Sequence, residues 1–420
     1  MTTTTAAAAA PTHPSTTSAG LLARAREILP DIVEIRRAIH RRPELGLDLP
    51  ATQSRIMDEL TRLGLQPRAG TRTTSVTAVV GGDRPGRTVV LRGDMDALPL
   101  TEATGLDFAS EVEGRMHACG HDTHVAQLLG GARLLVEISK AHPDALPGPV
   151  LLMFQPGEEG WFGARVMIEE GLLDGAAGTA PLTAQNARAM AIHISAKHAS
   201  GQVALKGGAM QASADNVFVT IRGSGGHASE PHLARDPIPA AAEMILSLET
   251  AVTRSVDIFD PAVLTIGHLV AGTTHNIIPE TAELAGTYRT VSAERRAAMW
   301  PLVERVVRGV AAAHGVAVEL RHEELYPVTV NDPAVADRVI ELASDLVGPA
   351  DVIRMDAPIM GAEDWSYVLE RIPGVMAMLG GRPRDRELEG YPQNHSNLVV
   401  FDEGAMAIGA ALYAKAALEL

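Results

Sequence analysis

The segment Thr88-Val-Val-Leu-Arg-Gly-Asp-Met-Asp-Ala-Leu-Pro99 joins a short β-branched run to two carboxylates and a proline. Residues 88–91 predict a buried strand, and Asp94 and Asp96 follow at its end. Because these acids are two residues apart, we expect both on the same side of the pleat, where they could orient the ligands of a metal. A polar turn before Pro99 is the alternative interpretation.

The sequence around this segment alternates between strand and helix patterns. Further strands are predicted at residues 76–80, 149–154, 190–194 and 375–379. Helices are predicted at residues 32–39, 52–63, 125–138, 163–170, 334–346 and 403–417. This alternation predicts an α/β fold in which helices flank a mixed, largely parallel sheet.

The middle of the chain follows a different pattern. Strands at residues 216–221, 262–270, 281–290 and 316–321 surround helices at residues 239–252 and 294–313. This β-α-β-β-α-β order predicts a ferredoxin-like domain inserted at residues 211–324. Residues 21–210 and 325–420 would then form the first domain together.

Charge and cysteine content favour a soluble protein of the cytoplasm. The 420 residues include 36 Lys plus Arg against 51 Asp plus Glu, a net charge of −15, which argues against nucleic acid and membrane partners. Residues 1–20 are rich in Thr, Ala, Pro and Ser without the basic start of a signal peptide, so we expect a disordered tail. Cys119 has no second cysteine to pair with, which favours the cytoplasm.

The densest polar cluster is the segment His117-Ala-Cys-Gly-His-Asp-Thr-His124. A lone cysteine is ordinarily a small buried hydrophobic residue. Here, however, three imidazoles surround Cys119, and Gly120 permits a turn, which favours a role as metal ligand. Because the next helix is expected to begin near Asp122, its N-terminus would lie close to the site.

Three further segments could add ligands. Glu158 and Glu159 follow the strand at residues 149–154, where α/β enzymes place their sites, although a solvated loop is the alternative. His193 lies in an apolar strand, where a neutral core histidine is the default. His395, taken alone, would be a surface histidine. Together with Cys119, these residues offer the thiolate, imidazole and carboxylate groups that suit zinc or another divalent first-row metal.

These motifs resemble the M20 metallopeptidases, in particular the amidohydrolase branch of hippurate hydrolases, N-acyl-amino-acid aminoacylases and indole-acetyl-amino-acid hydrolases. The resemblance covers roughly residues 31–417. It rests on DMDALP at 94–99, MHACGHD at 116–122, FQPGEEG at 154–160, GGHA at 225–228 and NIIP at 276–279. The sequence departs from the family at Asn397, because family members frequently have a proline at this position. We expect this difference to affect substrate specificity more than activity.

The resemblance implies a site for two divalent metal ions. Cys119 would bridge both ions as a thiolate. His121 and His193 would complete the first site, and Glu159 and His395 the second. Zinc or manganese is the expected metal, with cobalt and nickel as alternatives.

The resemblance also implies roles around the metals. Glu158 would be the general base, and Asp96 would orient the metal shell. His227, Asn276 and Arg289 of the inserted domain would bind the substrate's carboxylate and stabilise the developing oxyanion, with His227 acting in catalysis. The inserted domain would serve as a lid and as the interface of a homodimer or higher oligomer.

The sequence therefore predicts a metal-dependent amidohydrolase that cleaves N-acyl amino acids, or related amides, to a carboxylate and a free amino acid. A dipeptidase or carboxypeptidase of the same superfamily is the nearest alternative, and a requirement for a free α-amino group would distinguish it. A catalytically silent protein that binds a metal or ligand is another. Glu158 argues against that last alternative, because a binding protein has no use for a general base.

Overall fold

The computed structural model describes residues 13–82 and 84–420, which form two compact units. The first unit contains the residues up to Gly207 together with Asn331–Met355 and Val368–Leu420. The second contains Gly208–Val330 and Asp356–Tyr367. This second unit extends past both ends of the insert expected at residues 211–324 and gains a later segment of the chain.

The elements within these residues follow the predicted pattern, with bounds that differ by a few residues. The helices are α1 (Ser18–Glu27), α2 (Leu29–His40), α3 (Pro50–Arg62), α4 (His121–Ala141), α5 (Gly163–Glu169), α6 (Pro237–Ser255), α7 (Ala293–His314), α8 (Pro333–Val347), α9 (Ser366–Leu369) and α10 (Ala405–Glu419). The strands are β1 (Arg68–Ala69), β2 (Val76–Val80), β3 (Thr88–Asp94), β4 (Val150–Gln155), β5 (Ala187–Ala199), β6 (Val203–Leu205), β7 (Gly208–Gln211), β8 (Asp215–Arg222), β9 (Gly226–His227), β10 (Ala262–Ala271), β11 (Ile277–Ile278), β12 (Thr281–Thr290), β13 (Ala317–Glu324), β14 (Thr329–Asn331), β15 (Val352–Arg354) and β16 (Gly374–Arg382).

The predicted tail needs a correction at its end. Residues 1–12 lie outside the described residues, but helix α1 already begins at Ser18. The Thr17 side chain accepts a hydrogen bond from the Gly20 N–H, and Leu21 and Ala25 of this helix are buried. The cap and the buried face make residues 18–20 part of the folded unit, so the expected boundary at residue 20 is too late.

The first unit is built on an eight-stranded mixed sheet of order β1-β2-β4-β3-β5-β16-β6-β15. Strands β4, β3, β5 and β16 pair in parallel, while β1, β2 and the contact of β16 with β6 are antiparallel. Every residue of β3 and β4 is buried, as expected when helices cover both faces of a parallel sheet. The predicted α/β class with a largely parallel sheet is confirmed.

The second unit contains a four-stranded antiparallel sheet of order β10-β12-β8-β13. Helices α6 and α7 contact each other and this sheet, and their apolar residues form one core with Val217, Leu284 and Tyr288. The chain order and the strand order together give the ferredoxin-like arrangement that the sequence predicts. Among the described residues, no helix is long and apolar enough to cross a bilayer.

Candidate metal centre

Three adjacent parallel strands bring the predicted ligands to one edge of the first sheet. Strand β3 ends at Asp94, opposite the last residue of β4, so the loops that follow both strands leave the sheet side by side. Asp96 lies in the first of these loops, and Glu158 and Glu159 lie in the second. His193 lies within β5, the other neighbour of β3.

Cys119 and His193 are in direct contact. The Cys119 Sγ lies 3.3 Å from the His193 Nε2, and together with His121 these residues form one group whose ligand atoms lie within 4.8 Å of one another. The His193 Nδ1 donates to the carbonyl oxygen of Ile194 at 2.6 Å, which leaves the Nε2 lone pair directed toward the thiol. Burial lowers the pKa of His193, so its imidazole is neutral, as a metal ligand must be.

A second group shares the same thiol. Cys119, Glu159 and His395 offer ligand atoms within 4.8 Å of one another, and the His395 Nε2 lies 3.2 Å from the Glu159 Oε1. Contacts with Cys119 and Glu159 raise the pKa of His395 to about 10. The shift reflects the Glu159 carboxylate and the Cys119 sulfur beside the imidazole, which are groups that can also bind a cation.

The fit of a metal can be tested on the polar atoms of this cluster. Both ring nitrogens of His121 and the Oε1 of Glu159 are buried, and no group in residues 13–82 and 84–420 makes a hydrogen bond of normal geometry to them. Their charged neighbours are the Asp94 Oδ2 at 3.3 Å, the Asp96 Oδ1 at 3.5 Å and the His395 Nε2 at 3.2 Å. Buried polar groups are normally satisfied, and coordination would satisfy these atoms. The residues therefore fit divalent metal ions, held by thiolate, imidazole and carboxylate ligands.

The two aspartates of the opening segment both lie against His121: the Asp94 Oδ2 is 3.3 Å from its Nε2, and the Asp96 Oδ1 is 3.5 Å from its Nδ1. Asp96 accepts the backbone N–H groups of Glu158 at 2.9 Å and of Glu159 at 3.0 Å. It therefore fixes the backbone of both glutamates.

Asp94 also orients His124, a histidine that the predicted ligand set did not include. The His124 Nδ1 donates to Asp94 at 2.5 Å, and its Nε2 accepts the backbone N–H of Ile194 at 2.7 Å. Burial opposes ionisation of Asp94, but Arg92, His121 and His124 hold its pKa well below the usual range. His124 thereby links the acid at the end of β3 to the strand that carries His193.

His121 is the one predicted ligand among the three histidines of residues 117–124, and it lies in the group with Cys119 and His193. His117 lies beside His40, with 6.2 Å between ring centroids, and burial lowers its pKa to about 3. It is therefore a neutral core residue. The spacing of the cluster in sequence could not distinguish these environments.

A buried ion pair between helix α2 and Asp122 fixes the start of helix α4. Arg36 donates to Asp122 at 2.7 Å, and the His40 Nδ1 donates to the same carboxylate at 2.8 Å. Gly120, at φ 95°, sets the turn before the helix, and a Cβ there would lie 2.4 Å from the side chain of Ile194. These constraints fix Cys119 and His121 on either side of the turn.

His227 and Asn276 of the second unit lie on neighbouring short strands. Residue Ile277 pairs with His227 between β11 and β9, and the Ala228 N–H donates to the Asn276 carbonyl at 3.2 Å. Helix α6 is capped by Asp236, whose side chain accepts from the Ile238 N–H, and not by His227. His227 is exposed and free for other contacts.

Arg289 lies on β12 and is half-buried. No acidic side chain in residues 13–82 and 84–420 forms an ion pair with its guanidinium, and burial lowers its pKa. The nearby Asp215 is held instead by Arg296, at 2.9 and 3.0 Å. Arg289 therefore retains the capacity to bind an anion.

Comparison with known proteins gives the family. The model of peptidase family M20/M25/M40 matches residues 90–419. The chain is 37% identical over 400 residues to thermostable carboxypeptidase 2 of Saccharolobus solfataricus, covering 94% of this chain and 96% of that one. It is 36% identical over 402 residues to IAA-amino acid hydrolase ILR1-like 2 of Arabidopsis thaliana, covering 94% of this chain and 87% of that one.

A solved structure gives the same assignment. The chain superposes with a TM-score of 0.78 and 30% identity on a dinuclear metal-binding peptidase of the M20 family from Bacillus subtilis, covering 94% of this chain and 98% of that one. The protein belongs to peptidase family M20/M25/M40. The predicted family and the predicted hydrolase class are confirmed.

The ligand groups generate a prediction for the thiol. A chelator should expose Cys119 to a thiol reagent, whereas protein loaded with a divalent metal should hide it, because a coordinated thiolate is not free to react. We expect about one reactive thiol per chain after chelation, since the sequence has one cysteine. The Cys119→Ala variant is the blank. Equal labelling rates with and without metal would show that Cys119 is not a ligand.

Proposed function

We propose that the protein is a dinuclear metal-dependent amidohydrolase that releases a free amino acid from an N-acyl amino acid. The observation that supports this most strongly is a buried, 6% exposed carboxylate, Glu158, beside two ligand groups that share Cys119. The relatives named above point to the same product, since a carboxypeptidase and an IAA-amino acid hydrolase both detach an amino acid through its amide nitrogen.

The two ligand groups would hold one ion each, with Cys119 common to both. Cys119, His121 and His193 form the first group, and Cys119, Glu159 and His395 the second. Zinc or manganese suits this mixture of ligands. Divalent ions supply Lewis acidity, which lowers the pKa of a bound water to roughly 7. The proposed compartment is the cytoplasm, where a thiolate ligand stays reduced.

Glu158 is the proposed proton carrier. Its backbone N–H is fixed by Asp96, and its neighbour Glu159 belongs to a ligand group, so the adjacent carboxylates have separate tasks. The Glu158 carboxylate would accept the proton of the attacking water and deliver it to the nitrogen of the departing amino acid. An amide nitrogen needs this proton, because it leaves poorly as an anion.

His227 and Arg289 are the proposed substrate contacts, together with Asn276. The Ser229 N–H at 3.1 Å and the Ser229 hydroxyl at 2.6 Å both reach the His227 Nδ1, so a neutral imidazole carries its proton on Nε2. This nitrogen can donate to an oxyanion. The unpaired guanidinium of Arg289 can bind the α-carboxylate of the substrate.

A carboxypeptidase is the second candidate, supported by the similarity to thermostable carboxypeptidase 2. Its substrates carry the same free α-carboxylate at the scissile residue, so Arg289 would serve both activities. The difference lies on the acyl side, which is a peptide in one case and a simple acyl group in the other.

A substrate panel with zinc- and with manganese-loaded enzyme tests the proposal. An N-acyl amino acid should be hydrolysed, and its carboxyl-amide derivative should show a higher KM, because the derivative lacks the charge for Arg289. An N-blocked peptide with a free C-terminus measures the carboxypeptidase alternative. Turnover confined to dipeptides with a free α-amino group would contradict the proposal.

The neighbouring glutamates generate a paired prediction. Glu158→Gln should lower kcat by at least about 100-fold with metal content unchanged, because the amide is nearly isosteric but cannot accept a proton. Glu159→Gln should instead weaken metal binding. Turnover assays and metal analysis after dialysis measure both effects. If Glu158→Gln retained more than a tenth of the wild-type rate, Glu158 would not be the base.

The substrate contacts generate a second kinetic prediction. His227→Ala should lower kcat by about 100-fold, because an oxyanion donor acts in the transition state. Arg289→Ala should mainly raise KM, because a carboxylate contact holds ground and transition states alike. Melting temperatures measured beside kcat and KM provide the control. Lower stability with unchanged kinetics of the folded enzyme would make both residues structural.

We also propose that the protein is a homodimer joined through strand β10, with a second copy pairing antiparallel to this edge. Strand β10 (Ala262–Ala271) contains no acid, lysine or arginine and exposes Val263, Leu269 and Val270 by 48%, 47% and 52%. The opposite edge, β13, carries Glu319, Arg321, Glu323 and Glu324. Charges protect an edge strand from pairing, so β10 is the edge that supports it.

The double variant Leu269→Lys/Val270→Lys should convert the dimer to a monomer, because a two-fold interface brings the added charges together. Sedimentation analysis measures the mass. Ala317→Lys, an exposed position on the charged edge β13, is the matched control and should leave the dimer intact. A wild-type monomer, or a double variant that stays dimeric, would contradict this interface.

A further inference from the structure

We propose that Asn394 is a positioning residue that joins the three chain segments carrying the metal ligands Cys119, His193 and His395. This inference rests on the proposed metal site and adds to it a residue that touches no predicted ligand atom. Asn394 immediately precedes His395 and is partly buried. Its role follows from hydrogen bonds to the backbone of the other two segments.

The side-chain amide of Asn394 connects to both of these segments. The Nδ2 donates to the Cys119 carbonyl at 2.9 Å and to the Ile194 carbonyl at 3.0 Å. The Oδ1 accepts the N–H of Ala196 at 2.9 Å. Two donors and one acceptor are thus required at once, which only an amide side chain supplies.

The bond to Ile194 reaches the ligand His193 through a shared acceptor. The carbonyl oxygen of Ile194 accepts from Asn394 and also from the His193 Nδ1, at 2.6 Å. The bond from the His193 Nδ1 to this carbonyl fixes Nδ1 as the ring nitrogen that carries the proton. Asn394 therefore holds the acceptor that keeps the His193 Nε2 available for a metal.

The backbone of His395 gives an independent reason for such a restraint. His395 has φ 69°, a left-handed conformation that side chains with a Cβ disfavour. Its N–H donates to the Ala118 carbonyl at 2.9 Å, beside the bond from Asn394 to Cys119. The two adjacent bonds hold the His395 loop against the Cys119 turn in a conformation that the loop alone would not favour.

A purely structural role makes a different prediction from a positioning role. If Asn394 only supported the fold, its loss would lower the melting temperature of the metal-free protein and leave the metal affinity of the folded protein unchanged. If it positions ligands, the affinity falls even where the fold persists. Metal affinity therefore separates the two roles.

The experiment is calorimetric titration of zinc and of manganese into metal-free protein well below its melting temperature. Asn394→Leu removes all three bonds at similar volume, and Asn394→Asp keeps the acceptor but turns a negative oxygen toward two carbonyls. Asn394→Ser is a milder variant that keeps one hydroxyl. Asn397→Leu and Asn397→Asp are the matched controls, because Asn397 is exposed three residues away.

We expect Asn394→Leu and Asn394→Asp to weaken metal binding by about 10- to 100-fold, with Asn394→Ser intermediate and both controls within about twofold of wild type. The same order should appear in the protection of Cys119 from a thiol reagent at a fixed metal concentration. If the larger changes prevent folding, Asn394→Ser decides alone.

Two outcomes would overturn different statements. Wild-type protein that binds no divalent metal would contradict the proposed function. Wild-type protein that binds two ions, with every folded Asn394 variant matching its affinity and its thiol protection, would overturn only the positioning role.

Discussion

Parallel pairing of β3, β4 and β5 is the constraint on which the candidate metal centre depends. Parallel strands end at the same edge of a sheet, so the residues after β3 and β4 leave together, beside the imidazole carried by β5. The Asp96 carboxylate thereby accepts the backbone N–H of Glu158, which lies 62 residues further along the chain. Asp94 and Asp96, at and after the end of β3, are buried.

Buried charge at this edge is balanced by backbone groups and by a few fixed cations. Asp96 accepts two N–H groups, and Asp122 accepts from the buried Arg36. Removing one partner of such a buried pair would leave an uncompensated charge, which typically costs about 3–5 kcal/mol. The ring nitrogens of His121 and the Oε1 of Glu159 are among the buried polar atoms at this edge that lack a hydrogen bond of normal geometry, and coordination of a cation would satisfy them.

The sequence could predict the fold, because strand and helix periodicity are local signals. The expectation that His193 and His395 are ligands depended on the family resemblance, since each histidine alone has an ordinary structural interpretation. Cys119, His193 and His395 come together in the structure, although their distance in sequence carries no geometric information. Asn394 could not be predicted, because its role consists of contacts with backbone atoms of distant segments. The start of α1 was missed for a related reason, since burial of its apolar face depends on tertiary packing.

X-ray absorption at the metal edge of protein loaded with two equivalents of zinc tests the central claim most directly. A thiolate shared by two ions should give each zinc one sulfur ligand at about 2.3 Å, with nitrogen or oxygen ligands at about 2.0–2.2 Å. A zinc–zinc distance of about 3.5–4 Å should accompany them. A shell of nitrogen and oxygen alone, without sulfur or a second metal, would contradict the account.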